Sequence, residues 1–230
     1  NISVGLENVN LFSELQQFAY FDPLTHLPNR SGFIEAIDTY RRDGICNAEN
    51  TRGNCTVALI DIAHFSAIND ALGHKKGDLL LLAVGRRLHS GLPAGTTVAR
   101  VGGDVFGLLA PDEVLDPAAL LALFDEPIAV DDYLLPIRAS IGLTRLIDDQ
   151  SSGLDLLKTT NIALNRAKHE GHSRWCYHTP EMTEGTRNRL ELLQELRLAL
   201  TNRRGLSLHY QPQIDLATGA VIGAEALIRW

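Results

Sequence analysis

The sequence predicts an α+β fold, a mainly antiparallel sheet covered by helices, and three observations carry that expectation. The run from Thr56 to Ile62 is apolar except for its flanks, too short for a typical helix and bounded by polar stretches, so it reads as a buried strand. Thr96 to Val101 and Val105 to Ala110 are strand-like and separated only by Gly102-Gly103-Asp104, which reads as a tight hairpin. The overall order of strand, helices, hairpin, helix, strand, helix and strand fits a sheet with helical cover.

In chain order, apolar residues from Val4 to Tyr20 recur close to a helical stripe, giving a leading helix that Asp22-Pro23 ends. A compact loop, Leu24 to Arg30, hands over to a helix running to about Arg42, with Asn29 as its N-cap. A polar connection, Asp43 to Asn54, precedes the buried strand, and Asp61 sits near that strand's end. A short helix from Ala67 to Leu72 follows. Gly73 and Gly77 then punctuate before a helix from Asp78 to His89. Beyond the hairpin come a helix at 117–124, strands at Ile128 to Val130 and Tyr133 to Thr144, and a helix from Leu154 to Glu170 that Gly171 stops. Arg174 to His178 is a last short strand. Trp175 and Phe106 are expected in the core.

A second unit begins near Pro180, with a leucine-rich helix from Arg187 to Asn202 and strands at Leu206 to Tyr210 and Val221 to Trp230. Such an opening suits a large barrel of roughly 250 residues, whose remainder is then expected to be missing. The expected divisions are 1–21, a signalling helix; 22–178, the α+β domain; and 179–230, a linker helix with the first strands of the truncated barrel.

Charge narrows the function classes. Twenty-one Lys+Arg against 28 Asp+Glu leave a formal net charge of −7, which argues against broad nucleic-acid binding. Unbroken apolar runs such as Leu79 to Val84 are far shorter than the roughly 18 residues of a spanning helix. Cys46, Cys55 and Cys176 form no C-x-x-C pair and are odd in number, so neither a zinc site nor a disulfide framework is expected, and a reducing cytoplasm is the simplest location.

The most informative constellation is Asp61 at a strand end with Asp104 at the hairpin tip. If the strand pairs beside the hairpin, both carboxylates converge on one sheet edge, where hard oxygen ligands suit Mg²⁺ and nucleotide phosphates. The competing reading is a glycine turn with a solvated Asp. Company shifts the balance: Asp22-Pro23-Leu24-Thr25-His26-Leu27-Pro28-Asn29-Arg30, Asp61-Ile62-Ala63-His64-Phe65, Asn69-Asp70, Gly73-His74, Gly77-Asp78 and Arg100-Val101-Gly102-Gly103-Asp104-Val105-Phe106 follow in an order and spacing that resembles the GGDEF domain of diguanylate cyclases. Ser140-Ile141-Gly142 and Ala167-Lys168 extend the match. The tail, Tyr210-Gln211-Pro212 and Glu225-Ala226-Leu227-Ile228-Arg229-Trp230, resembles the opening of an EAL domain, the cyclic di-GMP phosphodiesterase barrel.

The resemblance implies a palm-like fold that holds one GTP and, in a homodimer, joins two into cyclic di-GMP. It implies that Asn69 and Asp78 contact guanine, Gly102 and Gly103 shape the pocket, Lys168 reaches phosphate, and Asp61, the Ile62 carbonyl and Asp104 hold Mg²⁺. In the tail it implies Glu225 as a metal ligand, with Gln211 and Arg229 near cyclic di-GMP. Several positions depart from the pattern: the signature Glu is Val105, the second strand aspartate is Ala63, a phosphate-contacting lysine is Ser66, and His172 stands for an arginine. The product-inhibition motif R-x-x-D falls on Pro93-Ala94-Gly95-Thr96 and is absent. Asp104 is thus left as a weak catalytic candidate.

Three functions follow as alternatives. The first is a degenerate GGDEF domain that binds GTP, makes little or no cyclic di-GMP and regulates a fused EAL phosphodiesterase, downstream of a sensory domain. The second is a weakly active cyclase, and the third is a structural or dimerisation module that binds no nucleotide.

Overall fold

A computed structural model of the chain describes residues 17–43, 55–146, 151–171, 173–202 and 204–230. The expected stretch of leading helix before residue 17, Cys46 and His172 lie outside them. The chain divides into two compact units, residues 1–179 and 180–230.

In the first unit a helical turn at 17–20 leads to the loop whose Asn29 caps helix α1, Arg30–Asp43: the Asn29 Oδ1 accepts the amides of Ser31 at 2.9 Å and Gly32 at 3.1 Å. This is the expected cap, satisfying two of the amides that a helix start leaves open. Strand β1, Cys55–Ile62, is buried at every residue. It lies at the centre of a five-stranded sheet in the order β2-β3-β1-β6-β7, where β2 is Thr97–Arg100, β3 Val105–Pro111, β6 Ala139–Leu146 and β7 Trp175–Tyr177. All pairings are antiparallel except β6 with β7. The fold class is therefore as expected.

The two-residue period of β1 explains how one strand serves two cores. Ala58, Ile60 and Ile62 pack with Leu80, Leu81, Val84 and Leu88 of α3, His74–Gly91, on one face. Val57 and Leu59 pack on the other with Phe33 and Ile37 of α1 and Leu156, Leu157 and Leu164 of α5, Gly153–His169. By the same alternation Asp61 faces the α1 and α5 side. Gly142 on β6 shares that face, and a Cβ there would lie 2.2 Å from the Leu164 backbone nitrogen. The bare glycine lets helix α5 lie directly on the sheet.

Several boundaries differ from expectation for identifiable reasons. Helix α2, Phe65–Leu72, is followed at once by α3, because Gly73 alone makes the turn at φ +83°. Gly77 is helical and buried, and Asp78 is a residue of the first turns of α3 rather than its start or cap. The single strand expected over Tyr133 to Thr144 is divided. Strand β5, Tyr133–Leu135, pairs with β4, Ile128–Val130, in a separate ribbon, and Pro136, which has no amide to donate to a ladder, stands before β6. Helix α4, Pro117–Ala122, is capped by Asp116. Trp175 is 46% exposed on the edge strand β7, not core, whereas Phe106 is fully buried. Cys55 is buried and disulfide-bonded, a bond that the absence of a disulfide framework in the sequence did not lead one to expect, and its partner lies outside the described residues.

In the second unit the helix, α6, begins at Pro180 and runs to Asn202, earlier than its leucine pattern alone indicates. Proline at a first turn removes no helical hydrogen bond. Strands β8, Ser207–Ile214, and β9, Val221–Arg229, form an antiparallel hairpin. A (β/α)8 barrel is built of parallel strands, so the described residues do not show the expected barrel. Among them no helix is long and apolar enough to cross a membrane.

Candidate functional site

The ladder places the site residues. Asp61 pairs in register with Val105 on β3 and Ser140 on β6, so all three side chains share the α1 and α5 face. Lys168, one helical turn beyond the buried Leu164, reaches the same place: its Nζ donates to Asp61 Oδ2 at 2.7 Å. The Asp61 side chain is 9% exposed and that of Lys168 40%. Val105 packs against the apolar cluster beneath α1 and α5. The Ser140 Oγ is buried without a hydrogen-bond partner.

The hairpin tip is held by an arginine that the sequence marked only as a motif position. Arg100 Nη1 donates to both oxygens of Asp22, at 3.0 and 3.1 Å, while its Nε and Nη2 donate to the Gly103 carbonyl at 3.2 and 2.7 Å. One guanidinium thus joins the loop after the leading helix to the glycine turn, using the fork geometry that a lysine lacks. Partial burial pushes the Asp22 carboxyl up, but the Thr25 hydroxyl and amide together with Arg100 outweigh this and hold it below the ordinary carboxylate value. The Asp104 carboxyl is raised instead, first by burial and then by the negative charge of Asp61, with Lys168 and Arg100 opposing. The hairpin and the end of β1 are also joined directly, the Ile62 amide donating to the Asp104 carbonyl at 3.2 Å, so strand pairing brings residues 61 and 104 to one edge. Gly102 and Gly103 are exposed, and a shallow hollow of about 450 Å³ runs from them past Arg100 to Asp22 and Arg30.

A second group lies between α2 and α3. The Asn69 side-chain oxygen is buried and unpartnered, and it abuts Gly77 so closely that a Cβ there would come within 1.9 Å of it. Asp78, the next residue, is exposed. The missing side chain of Gly77 thus lets Asn69 pack against α3 at the residue before Asp78. In the second unit, Gln211 and Glu225 face each other across the β8–β9 hairpin, and Arg229 lies opposite Ser207 at its far end.

The family description "Diguanylate cyclase, GGDEF domain" matches residues 19–174. The chain belongs to the GGDEF family. Its GGDEF region contains Asp61, Asn69, Asp78, the hairpin and Lys168 and stops short of the second unit. Similar curated proteins extend further along the chain. The bifunctional diguanylate cyclase/cyclic di-GMP phosphodiesterase MucR of Pseudomonas aeruginosa is 36% identical over 94% of this chain and 32% of its own length. The cyclic di-GMP phosphodiesterase NbdA of the same organism is 36% identical over 95% of the chain and 28% of its own length. The chain thus spans about a third or less of these relatives. Among solved structures, the GGDEF domain of YfiN (TpbB) from P. aeruginosa superposes with a TM-score of 0.64 at 26% identity, covering 73% of this chain and 99% of that one. The coiled coil and GGDEF domain of DgcB from Caulobacter crescentus, solved with c-di-GMP, gives 0.60 at 21% identity over 76% and 94%, a likeness of fold. The palm-like α+β fold and a place in cyclic di-GMP signalling follow from this membership.

GGDEF domains generally use Mg²⁺ with GTP. Here Asp61 and Asp104 supply oxygen ligands of the right hardness. They do not amount to a resident metal site: one oxygen of Asp61 is already held by Lys168, Ala63 and Val105 add no carboxylate, and no three His, Cys, Asp or Glu side chains group as ligands among the described residues.

Proposed function

We propose that this GGDEF domain is a nucleotide-binding regulatory module with little or no cyclase activity, set ahead of an EAL phosphodiesterase domain of which residues 179–230 are the beginning. The observation that carries the reading is the contrast within the site: the base side keeps an unpartnered Asn69 oxygen beside Gly77 and Asp78, while the reacting side has Val105 packed into apolar surroundings and Asp61 tied to Lys168. Joining two GTPs requires each 3′-hydroxyl to lose a proton while attacking phosphorus, and charge to be neutralised there. Valine does neither. Asn69 and Asp78 would take the guanine edge, Gly102 and Gly103 would admit the ribose and phosphates, and Lys168 would meet a phosphate.

The EAL assignment is supported by the alignment of both P. aeruginosa relatives over 94% or more of the chain and by their names as phosphodiesterases. In that domain Glu225 would be a metal ligand and Gln211 and Arg229 would lie near cyclic di-GMP. A homodimer, a cytoplasmic location and an upstream sensory domain belong to the same reading; a 31% identical relative is the oxygen sensor protein DosP of Escherichia coli. The weakly active cyclase stays as a second reading because MucR is named for both activities.

Calorimetric titration with GTP, with product chromatography on the same samples, tests the proposal. Binding without cyclic di-GMP is expected, and Asp78→Ala should abolish it. Product formation would favour the cyclase. No binding at millimolar GTP would leave the structural module.

A further inference from the structure

We propose that Lys168 is the built-in cation of this site: its ammonium occupies the place at Asp61 that a divalent ion would otherwise take, so the domain has no Mg²⁺ site of its own and binds nucleotide without metal. The nucleotide clause rests on the function proposed above; the metal clause does not.

The geometry favours the lysine at each step. Asp61 is nearly buried at the end of a central strand, and Lys168 meets it at 2.7 Å from a helix whose seat on the sheet is fixed by Gly142. The flanking register positions, Val105 and Ser140, add no negative charge that would draw in a second cation. Together with Asp104 at the hairpin tip, the three side chains sum to a single negative charge, whereas Mg²⁺ sheds water reluctantly and wants oxygens from nearly all sides. An ion in solution must displace an ammonium that is already tethered beside its carboxylate.

Lys168 also keeps what a bridging metal provides. An ammonium has three donors, one is on Asp61, and the side chain is 40% exposed. The remaining donors are free to meet a phosphate, so one group joins carboxylate to ligand. Acids on α5 and at its C-terminal cap do not compete for it, since Glu170 pairs with Arg166 and Asp155 with Lys158.

Mn²⁺ titration followed by electron paramagnetic resonance tests the metal clause on the 230-residue chain. The unaltered protein should show no saturable binding to about 1 mM Mn²⁺, and Lys168→Met, folded by circular dichroism, should bind at least about tenfold more tightly, losing this when Asp61→Asn is added. Binding by the unaltered protein that Asp61→Asn removes would overturn the proposal, as would a folded Lys168→Met that binds no better. Should that variant not fold, the unaltered protein against Asp61→Asn decides: equal silence supports the proposal. GTP affinity measured in EDTA and in Mg²⁺ should agree within about twofold, and a tenfold gain from Mg²⁺ would overturn the nucleotide clause. Absence of GTP binding in both buffers sinks the proposed function and leaves the manganese results standing.

Discussion

Two ion pairs flank the glycine hairpin, and they differ in what they hold. Arg100 and Asp22 are 13% and 17% exposed, meet through both carboxylate oxygens, and share the guanidinium with the Gly103 carbonyl. Lys168 and Asp61 meet through a single contact, with the lysine side chain 40% exposed. The first is a clamp whose removal leaves several partners unsatisfied. The second neutralises one buried acid and leaves its cation partly available. Equal formal charge, one pair each, thus gives a two-pronged tie in one case and a single contact with a partly exposed cation in the other.

The comparison breaks most readily at the clamp. Arg100→Met strands Asp22 and the Gly103 carbonyl in partly buried surroundings and should cost about 2–3 kcal/mol in urea unfolding, with faster amide exchange at residues 101–104; a loss below about 0.5 kcal/mol would mean that the pair clamps nothing. Asp22→Asn should cost less, about 1–2 kcal/mol, because the Thr25 contacts survive in part. It should also change the acid limb of stability. The Asp22 carboxyl is lowered in the fold, so its contribution is present above the unfolded value near 3.9 and fades as pH falls through the folded one; the unaltered protein should lose stability there and Asp22→Asn should lose less.

At the other pair the effects should be smaller. Asp61→Asn returns Lys168 to water and should change unfolding free energy by less than about 1 kcal/mol, the outcome that separates a neutralising contact from a clamp. Asp104→Asn should raise the melting temperature slightly at neutral pH. Its carboxyl is raised in the fold, so the acid destabilises above its folded value, and the gain should vanish once acid protonates it. A fall in melting temperature at pH 7 would show that Asp104 is held by contacts rather than strained by its neighbours.

The difference between the pairs also marks how much the sequence revealed. The buried strand, the hairpin, the Asn29 cap and the Gly171 stop were legible because each is local: a run of apolar residues, a pair of glycines, a capping side chain. The convergence of Asp61 and Asp104 was legible too, since strand β1 had only to pair beside the hairpin. Contacts across distant parts of the chain were not. Nothing local to Lys168 announces Asp61, 107 positions away, and nothing local to Arg100 announces Asp22. The start of α3 is hidden because a glycine reads as a breaker, whereas Gly77 makes room for the Asn69 side chain. The Trp175 ring was assigned to the core on hydrophobicity, and its place on an edge strand is a matter of tertiary order. The Cys55 pairing escaped because an odd count argues about frameworks, not about one bond.

Gly142 has a bearing on inheritance as well as on packing. A Cβ there meets backbone at 2.2 and 2.5 Å, where no side-chain rotation gives relief. Every amino-acid substitution at that position should therefore fail in a saturation library, while the exposed Arg145 of the same strand should accept many. The same contact forbids strand β6 from sliding by two residues under α5, since Ser140 and Thr144, the residues that would take its place, both carry a Cβ. One missing methyl group thus sets the alignment of β6 with α5 and, through the pairing of β6 with β1, the distance between Lys168 and Asp61.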